Sequence, residues 1–165
     1  MKQPIAGVAP VDVEEVEMMT VWPSHAAYAL GRFLGGLYEI GGRGVFTPGK
    51  LIVLLSIPGQ LKLYFYKAIF GSRYRLTNRR VVIQKNLTGS DGPSVNLDGF
   101  DAIDIEVRPG QAWYHAGDLV FRSGPTETLR LEGVSRPESF RQTCLKAHLS
   151  YVGVKEACER EAALA

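Results

Sequence analysis

Between Ile40 and Ser90 the chain has no Asp or Glu, although that stretch carries nine basic residues. Nothing inside the segment can neutralise its own charge, so its counter-ions must come from elsewhere in the chain or from a partner. Cysteine is nearly as scarce. Cys144 and Cys158 are the only two, fourteen residues apart in a helical pattern, where a straight helix would hold them roughly 21 Å from each other. That is beyond disulfide reach, and two free thiols suit a reducing cytoplasm. His25, His115 and His148 fall in different segments, and no Cys or His pair has metal-ligand spacing. Cys144 and His148, one helical turn apart, read as a buried thiol beside a core histidine. No Gly-x-Ser-x-Gly elbow, His-Glu-x-x-His pair or phosphate-cradling glycine loop occurs, so no catalytic residue, metal or cofactor is assigned. The N-terminus runs from Met1-Lys2-Gln3-Pro4 to Asp12, Glu14, Glu15 and Glu17 with no apolar core between, unlike a secretory signal. The folded part is expected to stay cytoplasmic.

The 165 residues suffice for one domain with a core and an appended segment. The nine basic residues are Arg43, Lys50, Lys62, Lys67, Arg73, Arg75, Arg79, Arg80 and Lys85, which leaves ten basic against seventeen acidic residues for the rest of the chain. Among them lies the most apolar run, Leu51 to Phe70. A greasy basic band is what an anionic membrane surface attracts, through burial of apolar side chains and attraction to lipid phosphate. Leu51, Leu54, Leu55, Leu63, Phe65 and Phe70 are the candidate membrane contacts. The run has the length of a span, but Pro58-Gly59-Gln60 interrupts it and Lys62 sits near its centre. A broken or re-entrant hairpin, or a helix pair lying in the interface, fits better than a single clean span. The bland alternative is a buried hairpin of a soluble protein. Nucleic acid is the poorer candidate partner, because Tyr74 alone sits among the arginines and no stacking platform is present.

Ahead of the apolar run, Ser24 is placed to cap a helix from about His25 to Ile40, although Gly31, Gly35 and Gly36 weaken it. The Gly31-x-x-x-Gly35 spacing is read as turn-prone, and Thr47-Pro48-Gly49 as a turn. After Gly71 the texture becomes β. A hairpin is expected around Thr77-Asn78, a loop over residues 88–93, then short strands near 94–97, 102–107, 119–122 and 126–131. Asp104 and Glu106 alternate with Ile103, Ile105 and Val107 and read as the solvated face of a strand. Trp113-Tyr114-His115 reads as the start of the next strand, closing a core, with a loop-tip anchor as the alternative. Ser135-Arg136-Pro137-Glu138 forms a capping box before an amphipathic helix with Phe140, Cys144, His148 and Val152, and Leu145 and Leu149 beside them, on one apolar stripe. Gly153 is expected to end or bend that helix, and the remainder to fray.

Arg73-Tyr74-Arg75-Leu76-Thr77-Asn78-Arg79-Arg80-Val81-Val82-Ile83 resembles the signature that opens the bacterial pleckstrin-homology-like domain family. Asn96-Leu97, Phe100 and Ile103, the strand Gly117 to Phe121, and Val134 to Glu138 follow the same pattern. The resemblance covers about Ser72 to Tyr151. It implies a barrel of two packed antiparallel sheets capped by a C-terminal helix, a binding or assembly role at a membrane, and no chemistry. The expected organisation is an acidic segment over 1–23, a helical membrane-associating segment over 24–71, the pleckstrin-homology-like domain over 72–153 and a tail over 154–165. Arg73, Arg75, Arg79, Arg80 and Lys85 are the candidate contacts to anionic lipid or a protein partner, through guanidinium and ammonium pairing with phosphate. The function expected is a non-enzymatic binding module on the cytoplasmic side of a membrane. The alternative is a soluble interaction domain whose apolar segment is buried in its core or in a homo-oligomer.

Overall fold

A computed structural model describes residues 15–40 and 48–163. Arg43, Thr47 and the acids Asp12 and Glu14 lie outside the described residues. The elements are β1 (Glu17–Val21), α1 (Ala29–Tyr38), α2 (Pro48–Leu55), α3 (Ile57–Phe70), β2 (Ser72–Thr77), β3 (Arg80–Lys85), β4 (Asp91–Asn96), β5 (Ala102–Glu106), β6 (Ala116–Ser123), β7 (Thr126–Ser135) and α4 (Pro137–Ala163). Single 3-10 turns occupy His25–Ala27 and Ala112–Tyr114.

Two antiparallel sheets share one core. The first has the order β1-β2-β3-β4 and the second β5-β6-β7. From the first sheet Tyr74, Leu76, Val81 and Val95 point inward, from the second Ile103, Leu119, Phe121, Leu129 and Leu131, and α4 adds Phe140 and Cys144. Phe100 and Phe121 meet edge to face at 5.1 Å in the middle. The sheets are not closed into the expected barrel. They are stitched at one corner, where Ser24 N donates to Gly133 O at 2.7 Å and Pro23 bridges Val134, and the buried Tyr74 hydroxyl donates to Glu132 O at 2.8 Å.

β1 is an element that sequence pattern alone does not disclose. It pairs with β2, so the N-terminal acidic segment supplies a strand of the first sheet, and α1 to α3 form an excursion between its first two strands. Met19 and Val21 pack on the core while Val16, Met18 and Trp22 are exposed, so both faces are apolar and the two-residue period is lost. Pro48 and Gly49 begin α2 instead of forming a turn, since proline's fixed φ suits a first helical turn. Ser135 ends β7, paired with Ala116, and Arg136 in a left-handed conformation (φ 49°) precedes α4, so the helix starts later than the capping-box reading placed it. Gly153 neither ends α4 nor leaves a fraying tail. An exposed helical glycine costs only about 1 kcal/mol, and good helix formers follow it, with Lys155 pairing with Asp98 at 2.8 Å and Arg160 with Glu156 at 3.0 Å.

Candidate interaction surface

The excursion α1–α3 is built with its apolar side outward. Glycines, Gln60, Tyr38 and Leu63 make its contacts with the rest of the fold. On α1 the buried residues are Gly31, Gly35 and Tyr38. A Cβ on Gly35 would come within 2.1 Å of Gly110 O, and one on Gly110 (φ 79°) within 1.9 Å of Arg32 O, so helix and loop touch backbone to backbone. Gly31 and Gly35 are thus a packing notch and not a turn. On α3 the residues turned toward the fold follow a helical spacing: Gln60 and Lys67 are half-buried and Leu63 is buried at 8% exposure.

Gln60 is the pin of this contact. Its Oε1 accepts from His25 Nδ1 at 2.8 Å, and its Nε2 donates to the hydroxyls of Tyr38 at 2.9 Å and Tyr114 at 3.1 Å. The Tyr38 hydroxyl also meets Ser56 Oγ, at the bend between α2 and α3. Tyr38 packs edge to face on Trp113 at 5.5 Å. Trp113 and Tyr114 therefore neither start a strand nor tip a loop; they receive the helices. Burial pushes the Tyr114 hydroxyl above its ordinary pKa, which keeps it a neutral partner for Gln60.

The opposite side is open. Leu51, Leu54 and Leu55 on α2, and Leu61, Phe65, Ile69 and Phe70 on α3, are all exposed, Leu55 at 81%. Leu30 and Phe33 of α1 are exposed as well. Five of the six apolar residues singled out from the sequence thus lie on the open side, and Leu63 faces the fold. α2 and α3 are not a re-entrant hairpin. Ser56 joins them with helical dihedrals, and Gln60 N bonds back to Ser56 O at 2.9 Å, which gives one bent helix. Among the described residues, no helix is long and apolar enough to cross a membrane.

The basic hairpin is less available for anions than its sequence implies. Arg73 and Arg75 share the face of β2 opposite the core residues Tyr74 and Leu76, as expected. Folding of β1 onto β2, however, brings acids from the N-terminal segment to them. Glu17 lies 2.9 Å from Arg75 Nε, Glu15 lies 2.8 Å from Arg80 Nε, and Asp91 lies 2.9 Å from Arg80 Nη2. The Arg80 hydrogen bond holds the Glu15 carboxyl below its usual pKa. Arg73 Nε donates to Gln84 Oε1 at 2.6 Å. Arg79 is exposed in the β2–β3 turn and has an interaction partner, while Lys85 is exposed at the end of β3, opposite Ser72.

A buried ionic cluster that sequence reading missed lies under the second sheet. Asp118 is wholly buried. Its Oδ1 accepts from Gln111 Nε2 at 2.6 Å and from Gly133 N at 2.9 Å, and its Oδ2 lies 2.8 Å from Arg108 Nε. Its signal was a lone acid inside the apolar strand Gly117 to Phe121, since a buried carboxylate needs partners. Asp104 and Glu106 lie on the solvated face as expected and pair there with Arg122 at 2.8 Å and Arg130 at 2.7 Å. These groups hold the strands and the Ala112–Tyr114 turn that receives α1. Burial pushes the Cys144 thiol up to about 12, and His148 Nδ1 donates to Leu97 O. Among the described residues no three His, Cys, Asp or Glu converge as metal ligands.

An open cleft of about 700 Å3 lies where the Ala112–Tyr114 turn meets the start of α4, lined in part by His115, Arg136 and Glu138. His115 (φ 48°) and Arg136 are both left-handed, and Arg136 N donates to His115 O at 3.0 Å. No protein-family model, curated protein or solved structure matches the chain.

Proposed function

We propose that this protein is a non-enzymatic, pleckstrin-homology-like binding module that docks on the cytoplasmic face of a membrane through α1–α3 and holds its sheets there for recruitment or assembly of other proteins. One observation carries the reading: the helices turn glycines, Tyr38, Gln60, Leu63 and Lys67 toward the protein and leave the larger apolar set, with Leu55, Leu61, Phe65 and Phe70, facing away from it. In water that orientation is unfavourable, and in the boundary between headgroups and acyl chains it is favourable. α3 is pinned laterally by Gln60 and Leu63, so its free face lies along the protein surface and suits a helix lying in one leaflet. Lys62 sits on this helix with a stem long enough to carry its ammonium to the headgroups. The pleckstrin-homology-like part of the proposal is supported by a four-stranded and a three-stranded antiparallel sheet followed by the C-terminal helix, with α1–α3 placed between β1 and β2.

The test is flotation of the intact chain with vesicles of phosphatidylcholine and phosphatidylserine, with sedimentation of the protein alone alongside. Flotation with the vesicles is expected. A chain that stays at the bottom of the gradient and sediments as a dimer would place the apolar face against a second copy instead.

A further inference from the structure

We infer that the cleft between the Ala112–Tyr114 turn and the start of α4 binds a free α-carboxylate together with the nitrogen beside it, as carried by an amino acid or by the C-terminus of a polypeptide, with Arg136 as the carboxylate contact. At about 700 Å3 the cleft is within the size range of ligand sites. It gathers the His115 imidazole, the Arg136 guanidinium and the Glu138 carboxylate around Val107, Ala112 and Pro137. Among the described residues none of those three polar side chains enters a hydrogen bond or ion pair, whereas Arg108, Arg122 and Arg130, on and beside the second sheet, are all held by carboxylates. His115 (φ 48°) and Arg136 (φ 49°) are the two residues other than glycine with a left-handed backbone among those described, and both line this cleft. That conformation is unfavourable for a residue with a Cβ, and residues held in it collect at ligand clamps. Glycine would take the same backbone without strain. What the two positions gain from His and Arg is therefore their side chains, and the fold does not use them.

The lining selects among anions. A guanidinium presents a planar fork that matches a carboxylate, and His115 supplies a further donor in the same cleft. Glu138 acts the other way. A phosphate, with about two negative charges, would meet that carboxylate with nothing to offer it, whereas an α-carboxylate brings a nitrogen whose N–H it can accept. Val107, 58% exposed, offers an apolar surface to the side chain of the ligand. A second cleft of about 540 Å3 is lined by Glu39, Trp113 and the same Ala112 and His115, which leaves room for residues that precede a terminal carboxylate. The inference goes beyond the membrane reading and does not depend on it, since neither cleft includes a residue from the exposed apolar face of α2 and α3.

The experiment is an NMR titration of the intact, isotope-labelled chain, read at the backbone amides of His115, Arg136 and Glu138. The probes are a mixture of acetylated tripeptides of random sequence, the same mixture amidated at the C-terminus, free alanine, and inorganic phosphate. Saturable shifts are expected with the free-carboxylate tripeptides, and the amidated mixture should bind about tenfold or more weakly, the loss of one charge-assisted pair. Tighter binding of the tripeptides than of alanine assigns the site to a polypeptide C-terminus, and tighter binding of alanine assigns it to a small amino acid; both uphold the carboxylate reading. No shift with either, equal binding of the amidated mixture, or phosphate binding as tight as the tripeptides would overturn it. Arg136→Gly removes the guanidinium and suits the left-handed backbone, so it should melt no lower than the wild type and bind the tripeptides about tenfold or more weakly. A variant that binds as the wild type does would overturn the role of Arg136, and one that melts lower would show the fold to be using that side chain, against the proposal.

Discussion

Leu55 and Leu63 lie on the same bent helix with opposite surroundings, and replacing each with alanine separates the two sides of the account. Leu→Ala removes three carbons, worth about 0.8 kcal/mol each when buried. Leu55 is 81% exposed in the free protein, so nearly all of that difference belongs to the docked state. Leu55→Ala should change folding stability by no more than about 0.5 kcal/mol. It should weaken vesicle partition by about 2 kcal/mol, or about 25-fold. Leu63 is 8% exposed and packs against the fold. Leu63→Ala should cost about 2–3 kcal/mol of stability, which for a chain of this size lowers Tm by about 4–12 °C. Thermal melts and vesicle titrations of both variants give four numbers. If Leu55→Ala lowers Tm as much as Leu63→Ala while vesicle binding is untouched, the outward face is buried in solution and the reasoning fails.

Three further outcomes follow from the geometry. Gly35→Ala should destabilise by about 1–3 kcal/mol in urea unfolding, because its Cβ would meet Gly110 O at 2.1 Å, whereas Gly36→Ala, with nothing within 4 Å, should gain up to about 1 kcal/mol from helix propensity. Asp118→Ala should cost about 3–5 kcal/mol in the same assay, since it strands Gln111, Gly133 N and the Arg108 guanidinium beneath the sheet. Glu15 has its folded pKa lowered by the hydrogen bond from Arg80, so it stabilises the fold above its unfolded pKa and loses that contribution as pH falls through the lower folded value. The Tm gap between wild type and Glu15→Gln should therefore be present at neutral pH and close in acid, and high salt should shrink it.

Much of the sheet domain was legible because its strands alternate or carry β-branched runs. The hairpin of β2 and β3, the apolar and acidic faces of β5 and the stripe on α4 appear where period and composition placed them, except that Val107 lies past the end of β5 and Leu149 turns outward on α4, both exposed. What escaped shares one physical cause, in that it depends on partners distant in sequence. β1 shows no alternation because its outer face is also apolar, yet its pairing with β2 brings Glu15 and Glu17 to Arg80 and Arg75 and neutralises charges that looked free. Gly31 and Gly35 look like helix breakers until Gly110 and His25 supply the backbone they approach. Leu63 looks like its apolar neighbours until Gln60 fixes the rotation of α3. The basic, apolar band was legible; which of its cations already have acids was not.

The claim that the apolar face of α2–α3 enters a bilayer is met most directly by an environment-sensitive fluorophore at that face. Cys158 is exposed and Cys144 buried, so Cys158→Ser leaves a background in which Leu55→Cys can be labelled selectively, with Glu159→Cys on α4 as a control. On adding vesicles containing phosphatidylserine, the label at residue 55 should shift to the blue and become shielded from aqueous quencher, while the label at residue 159 stays in water. A label at residue 55 that remains quenchable under conditions where the protein floats with the vesicles would contradict the account.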